Sequence, residues 1–329
     1  MSESLPQTFP FAGWQIKYKL HEAKKADTST DTGLSQQTVV FVHGTPWSSE
    51  VFVPLAEAIS ATLECSILLY DLVGYGESQA LDASTSSHAA DKNGFVGDTS
   101  VKAQGEALAA LLAHLKLDGK TQGRPVPAVI AHDIAGTIAL RAHLLHGCDF
   151  VSLLLLDTNC ILPWGDGFYN QVRTNPKLFL DMTPSIFEAV VRAVIRSALC
   201  EPKKLSSGWE DVLAEPWLPS LTTTAESGST SAADKDGQRN FVRQIAQAND
   251  ADVAEMLDRG MYKDVRCSVK IMWGEQDGWI PGPKMEKLAE MLRHCLKSFV
   301  RIPQAGHLLM IDQPERVTAE VVSWLTRQT

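Results

Sequence analysis

Two aspartates and one histidine, widely separated in the chain, each follow an apolar run. Asp133 lies in A-H-D-I-A-G, Asp277 in W-G-E-Q-D-G-W-I-P and His307 in Q-A-G-H-L-L-M. A carboxylate nucleophile, an imidazole base and a second carboxylate that orients the base act as one unit in nucleophilic catalysis. The residue types therefore predict a catalytic triad, provided that the fold brings the three side chains together.

The segment around Asp133 has the pattern of a sharp turn between a strand and a helix. Small residues, here Ala131 and Ala135, flank the central residue because the turn crowds the strand against the helix. A lone aspartate in front of a helix more often caps that helix. The other two members of the predicted triad favour the catalytic interpretation of Asp133.

A carboxylate at such a turn is suited to reaction at saturated carbon. Attack on an ester would form a high-energy anhydride, whereas displacement at an sp³ carbon forms a stable alkyl ester. His307 would then deprotonate a water that attacks the carboxyl carbon of Asp133, and Asp277 would support the imidazolium. The backbone N–H groups of Thr45 and Ile134 would hold the oxyanion that forms in this second step.

The elements that must position these residues are strands and helices in alternation. β-Branched and apolar runs predict strands at residues 37–43, 66–70, 126–131, 151–156, 268–273 and 298–302. Helical spacing of apolar residues predicts helices at 101–115, 135–145 and 314–326. Nearly continuous apolar strands between helices indicate an α/β protein with a mostly parallel sheet. At the carboxyl ends of such strands, residues distant in sequence meet.

The block at residues 161–261 interrupts this alternation. It is rich in helical periodicity, and we interpret it as a helical insertion that contains a mobile loop at 219–237. Two other polar stretches, at 23–36 and 79–98, are predicted to be surface loops.

The composition is that of a globular protein in solution. The 329 residues are 44% hydrophobic, and a net charge of -9 argues against nucleic acid and anionic membranes as partners. Six scattered cysteines and the lack of a secretory signal pattern favour reduced thiols and a cytoplasmic protein. Neither a metal-ligand cluster nor a phosphate-cradling glycine loop is apparent, so we expect no metal and no cofactor.

Five motifs occur in a specific order: H-G-T-P at 43–46, D-L-V-G-Y-G-E-S at 71–78, the turn at Asp133, the acid Asp277, and G-H at 306–307. Together they resemble the α/β-hydrolase superfamily, and within it the branch with an aspartate nucleophile, namely epoxide hydrolases and haloalkane dehalogenases. The resemblance implies an α/β-hydrolase core at residues 1–160 and 262–329 with an inserted helical cap at 161–261. Exposed surfaces of such caps often pair, which makes a homodimer one expectation.

The resemblance also implies a second position for the acid. Some relatives place it at the end of the strand that follows the nucleophile, where this chain has Asp157. Because the role is defined by geometry and not by order in the chain, Asp277 is the first choice and Asp157 the alternative.

The two related families assist their leaving groups differently. Haloalkane dehalogenases commonly bind halide with a tryptophan directly after the nucleophile and an asparagine or second tryptophan elsewhere, but this chain has Ile134 and Thr45 at the corresponding places. Epoxide hydrolases usually protonate the departing alkoxide with two cap tyrosines, for which Tyr169 and Tyr262 are the candidates here. The expected activity is therefore epoxide hydrolysis to a vicinal diol.

Trp47 and Trp164 are interpreted as part of the wall of a pocket for a small apolar organic substrate.

The sequence leaves alternatives to epoxide hydrolysis open. A haloalkane dehalogenase-like hydrolase is the second hypothesis. An Asp/His general-base carbon–carbon lyase or cyclase, or a ligand-binding protein without turnover, would use the same fold.

Overall fold

A computed structural model describes residues 4–23, 37–82, 84, 89–121, 123–165, 167–218 and 237–327. These residues form an eight-stranded sheet in the order β1-β2-β4-β3-β5-β6-β7-β8. The strands are β1 (Gln7–Phe11), β2 (Trp14–His21), β3 (Thr38–Val42), β4 (Ser66–Tyr70), β5 (Ala128–His132), β6 (Ser152–Leu156), β7 (Ser268–Gly274) and β8 (Leu296–Ile302). All neighbours from β4 to β8 are parallel, as the apolar runs predicted.

The first two strands are antiparallel and were not among those predicted. β2 pairs with β4 on one side and β1 on the other. Its residues alternate between buried and partly exposed, with Trp14, Ile16 and Tyr18 facing inward. β3, β4, β5 and β6 are buried at every residue and show continuous apolar runs. The lysines between the apolar residues of β2 break such a run. Its sequence therefore does not match the pattern of a strand that is buried on both faces.

The helices cover both faces of the sheet and fill the segment between β6 and β7. They are α1 (Val53–Thr62), α2 (Val101–His114), α3 (Ala135–Leu144), α4 (Gly167–Thr174), α5 (Pro176–Leu180), α6 (Pro184–Ser197), α7 (Ser207–Ala214), α8 (Gly237–Gln247), α9 (Ala251–Asp258), α10 (Gly282–Met291), α11 (Leu309–Asp312) and α12 (Pro314–Thr326). The predicted helices correspond to α2, α3 and α12. No helix in the described part of the chain is long and apolar enough to cross a membrane.

Helices α4 to α9, here called the inserted helices, lie within the predicted insertion. They contact the core through direct hydrogen bonds: Trp217 Nε1 donates to the carbonyl of Pro46 over 2.7 Å, and Gln244 accepts from Thr45 Oγ1 over 2.7 Å. The predicted mobile loop at 219–237 falls outside the described residues except for its last residue, Gly237, and so does almost all of the predicted loop at 23–36.

The described part of the predicted surface loop at 79–98 is more closely packed than its polar sequence indicates. Phe95 is 1% exposed, and the guanidinium of Arg239 from α8 lies 5.1 Å from the centre of its ring. This segment is therefore anchored between the core and α8 by an aromatic residue that the polar composition around it conceals.

Candidate active site

Asp133 occupies a sharp turn between β5 and α3. Its backbone has φ of 56°, which non-glycine residues adopt rarely and which projects the side chain above the sheet edge. Glycine is required beside it, because a Cβ on Gly44 would lie 2.5 Å from Asp133 Cβ. A Cβ on Gly136 would likewise collide with Thr158 Oγ1. The small residues around this turn thus serve close packing, as the pattern in the sequence indicated.

Two backbone N–H groups point at the carboxylate of Asp133. Thr45 N donates to Asp133 Oδ2 over 2.9 Å, and the N–H of Ile134 stabilises the same carboxylate. Burial raises the pKa of Asp133, while His307 and these two N–H groups oppose that increase. The two N–H groups predicted to hold an oxyanion thus both lie at the carboxylate of Asp133.

His307 and Asp277 lie on the other side of Asp133. His307 Nδ1 is 3.0 Å from Asp277 Oδ2, and His307 Nε2 is 3.8 Å from Asp133 Oδ1. Asp277 Oδ1 accepts from the backbone N–H groups of Trp279 at 2.7 Å and Ile280 at 3.0 Å. The Trp279 ring stacks on the imidazole with 4.6 Å between centres. These contacts hold the ring with Nε2 directed toward Asp133.

Asp157, the alternative acid, does not contact His307. It is fully buried, and its Oδ1 accepts from the backbone N–H of Gly274 over 2.8 Å. Burial, followed by the negative charge of Asp277, raises the pKa of Asp157 well above its ordinary value. The geometry therefore gives the contact with the imidazole to Asp277.

A cavity of about 210 Å³ opens onto Asp133. Core residues and inserted helices both contribute to its lining, which is mostly apolar: Ile134, Trp164, Ile245, Ala248, Trp279 and Ile280. An apolar cavity with few polar groups is the usual form of a site for a small organic molecule.

The structure separates the two tyrosines that were candidates for assisting the leaving group. Tyr169 on α4 lines the cavity, with its ring edge-on to Trp279 at 5.3 Å between centres. Tyr262 is 1% exposed, does not belong to the lining, and donates its hydroxyl to the carbonyl of Cys160 over 2.8 Å. The expectation for Tyr262 is therefore wrong, because its O–H is already bound within the core.

The two tryptophans are separated in the same way. Trp164 lines the cavity, and its indole N–H donates to the carbonyl of Asn159 over 2.9 Å. Trp47 is 1% exposed, lies outside the lining, and stacks on Trp279 with 5.8 Å between centres. Trp47 supports the cavity wall from behind and is not part of the wall surface.

Two polar side chains near Thr45 were not identified from the sequence as part of the site. Thr45 Oγ1 lies 2.5 Å from the hydroxyl of Tyr75 and donates to Gln244 Oε1, which also accepts from Tyr75. Tyr75 is fully buried in the core, and Gln244 comes from α8. The motif around Tyr75 signals its place near the site, but nothing local marks Gln244, because its partners come from 169 and 199 residues away.

The described residues contain no group of three His, Cys, Asp or Glu side chains arranged to hold a metal ion. All six cysteines are free thiols, and five of them are buried.

The whole chain resembles solved structures of one fold. An α/β-hydrolase-fold protein from Burkholderia ambifaria aligns over 98% of this chain and 98% of its own, with a TM-score of 0.77 and 29% identity. A thermophilic esterase from Thermogutta terrifontis aligns over 98% and 99%, with a TM-score of 0.68 and 20% identity. The epoxide hydrolase CorEH aligns over 98% and 99%, with a TM-score of 0.67 and 14% identity. The last two similarities show the fold alone.

A search of curated protein sequences found no match. The pattern that defines the Alpha/beta hydrolase family matches residues 39–321, which include every strand of the parallel sheet except the first residue of β3. The motif order, the sheet topology and this match agree, and the chain belongs to the α/β-hydrolase family.

Proposed function

We propose that the protein is an epoxide hydrolase that works through an alkyl ester on Asp133. The observation that supports this most strongly is the placement of the carboxylate itself. Asp133 Oδ2 accepts the Thr45 N–H, Oδ1 lies 3.8 Å from His307 Nε2, and the residue lines the mostly apolar cavity. One oxygen is thus held as an acyl oxygen, and the other is left to attack carbon.

The first half of the reaction is a displacement. Asp133 Oδ1 attacks one carbon of the epoxide, a new C–O ester bond forms, and the ring C–O bond breaks with its electron pair going to the epoxide oxygen. Tyr169 is the cavity residue we assign to protonate this alkoxide, because its ring lies in the lining beside Trp279. The Tyr169 phenolate regains its proton, by way of water, at the end of the cycle, when hydrolysis of the ester leaves Asp133 as a carboxylic acid that ionises.

The second half is hydrolysis of the ester. His307 takes a proton from water, and the hydroxide adds to the carboxyl carbon of Asp133. The N–H groups of Thr45 and Ile134 hold the oxyanion, and Asp277 stabilises the imidazolium. Collapse breaks the ester bond, and the diol oxygen leaves with the proton from His307. The sum is epoxide plus water giving a vicinal diol, with one oxygen of Asp133 now derived from water.

The names of similar structures are compatible with the proposal but do not select it. They include an epoxide hydrolase, esterases, and a meta-cleavage product hydrolase, all at 20% identity or less. What separates the present chain from an acyl-transfer enzyme is its own carboxylate at the turn, since that group favours displacement at saturated carbon.

The proposal is tested by turnover of a panel of epoxides in ¹⁸O-labelled water. After several turnovers, mass spectrometry of the peptide that contains Asp133 should show ¹⁸O in its carboxylate, and the peptide that contains Asp277 should serve as the unlabelled control. Turnover without label in Asp133 would overturn the alkyl-ester mechanism. Label accompanied by halide release from haloalkanes, with no diol from epoxides, would retain the mechanism and overturn the substrate class.

A further inference from the structure

Two cationic side chains line the mostly apolar cavity, and the mechanism above uses neither of them. Lys284 lies in the first turn of α10, and Arg173 lies near the end of α4. Lys284 is half-buried, and the side chain of Arg173 is 16% exposed. A core helix and an inserted helix thus bring two positive charges to the cavity that also contains Asp133.

The contacts of these cations leave their charge incompletely balanced. Arg173 donates to the carbonyl of Trp164 over 2.7 Å and pairs with Asp250 at 3.4 Å. Lys284 Nζ donates to the carbonyl of Pro163 and forms no ion pair within 4 Å with a carboxylate of the described residues. Asp250, whose side chain is 49% exposed, is the carboxylate that acts on both cations.

Burial lowers the pKa of Lys284, and the more distant charge of Asp250 raises it by less. A neutral N–H group could donate equally well to the carbonyl of Pro163. This contact alone therefore does not explain why the charged ammonium of Lys284 is half-buried. The beginning of α10 adds positive potential at the same place, since Ile280 and Pro281 line the cavity just before the helix starts. A carboxylate arriving there would receive charge-assisted hydrogen bonds.

We infer that the cavity takes a substrate that carries a carboxylate group, which binds at Lys284 and Arg173 while the apolar body of the molecule extends toward Asp133. The inference rests on the proposed function in one respect, because it names the class of epoxide: an epoxy acid in place of a neutral epoxide. Gly165 contributes to this site, because a Cβ there would collide with the Arg173 guanidinium.

The experiment measures binding without any reaction. Trp164 and Trp279 line the cavity, so their fluorescence reports on occupancy. We expect phenylacetate to bind the wild-type protein about tenfold or more tightly than phenylacetamide. Lys284→Met should lose that difference by weakening phenylacetate alone. Lys287→Met, the same change on the exposed side of α10, should retain it. Equal affinities of the acid and the amide for the wild-type protein would overturn the inference.

Two further measurements keep this inference separate from the proposed function. Lys284→Arg retains the charge and should retain the preference for phenylacetate, so a loss in Lys284→Met with unchanged thermal unfolding reports charge and not misfolding. Hydrolysis of 3-phenylglycidate is then compared with hydrolysis of its amide. One outcome is that neither the glycidate nor its amide is hydrolysed with transfer of ¹⁸O into Asp133, while phenylacetate still binds more tightly than phenylacetamide. The proposed function then fails and the carboxylate site stands. If both are hydrolysed equally well and Lys284→Met affects both equally, the carboxylate site fails and the proposed function stands.

Discussion

The backbone N–H of Thr45 donates to Asp133 Oδ2 over 2.9 Å, which joins the loop after β3 to the turn after β5. The approach is close enough that only glycine fits at position 44, where a Cβ would also come within 2.9 Å of Asp133 Oδ2. This contact holds one oxygen of the carboxylate, while the other, Oδ1, lies 3.8 Å from His307 Nε2.

Gly44→Ala should therefore displace Asp133 from its position. We expect kcat/KM to fall by about a hundredfold or more, because small misplacements of reacting groups have effects of that size. Gly208→Ala is the matched control, since a Cβ at that helix position meets nothing within 4 Å. It should change the free energy of unfolding by at most about 1 kcal/mol. Full activity of Gly44→Ala would show that the close approach is not needed.

His307→Gln should trap the alkyl-enzyme. Displacement by Asp133 needs no base, whereas hydrolysis of the ester does, so the covalent intermediate should accumulate with a substrate that the wild-type protein turns over. Intact-mass spectrometry should show the protein plus the mass of the epoxide, absent from the exposed-histidine control His21→Gln. An inactive His307→Gln protein that never gains mass would contradict the order of steps.

Asp277→Asn and Asp157→Asn should differ sharply in activity. Because Asp277 is the carboxylate 3.0 Å from His307 Nδ1, its replacement should lower kcat by about a thousandfold or more. Asp157 accepts the backbone N–H of Gly274 and has no hydrogen bond or ion pair with the imidazole, and an asparagine there still offers an acceptor to Gly274. Asp157→Asn should keep kcat within about tenfold of wild type. The reverse ranking in steady-state kinetics would assign the acid to Asp157.

Tyr169→Phe should impair formation of the alkyl-enzyme, because its hydroxyl is the cavity group assigned to protonate the alkoxide. We expect the alkylation rate in stopped-flow measurements to fall by about a hundredfold. Tyr262→Phe is the control with the same chemical change. It should leave that rate unchanged but destabilise the protein by about 1–3 kcal/mol, because the buried carbonyl of Cys160 loses its donor. Equal alkylation rates in both variants would remove Tyr169 from the mechanism.

Asp157 should also shape the dependence of stability on pH. Its folded-state pKa is raised, so the folded protein holds this proton more tightly than the unfolded chain does. The resulting stabilisation is fully present below the unfolded pKa of about 3.9 and is lost as pH rises through the folded pKa. The asparagine in Asp157→Asn is neutral at every pH. In urea unfolding experiments, the free energy of unfolding of this variant should therefore decrease less with increasing pH than that of the wild-type protein. Parallel stability profiles would show that Asp157 is not protonated in the folded protein.

Much of the fold could be predicted from the sequence because the parallel strands are buried on both faces. β4 and α12 have the predicted bounds, and the ends of β5, β6 and α3 differ from prediction by one or two residues. The order of Asp133, Asp277 and His307 behind these strands also predicted their meeting, since the carboxyl ends of parallel strands share one edge. The antiparallel β2 was missed because its charged residues are spaced between inward-facing apolar ones.

The sequence by itself determined which chemistry the chain carries: a carboxylate at a tight turn, a histidine, and two candidate acids. Only the tertiary structure decided which acid reaches the imidazole, because Asp157 and Asp277 end neighbouring strands and differ in orientation and not in type. It also decided between Tyr169 and Tyr262, and it brought Lys284 and Arg173 to one cavity. Those arrangements join segments at least 30 residues apart, so no local pattern of residues encodes them.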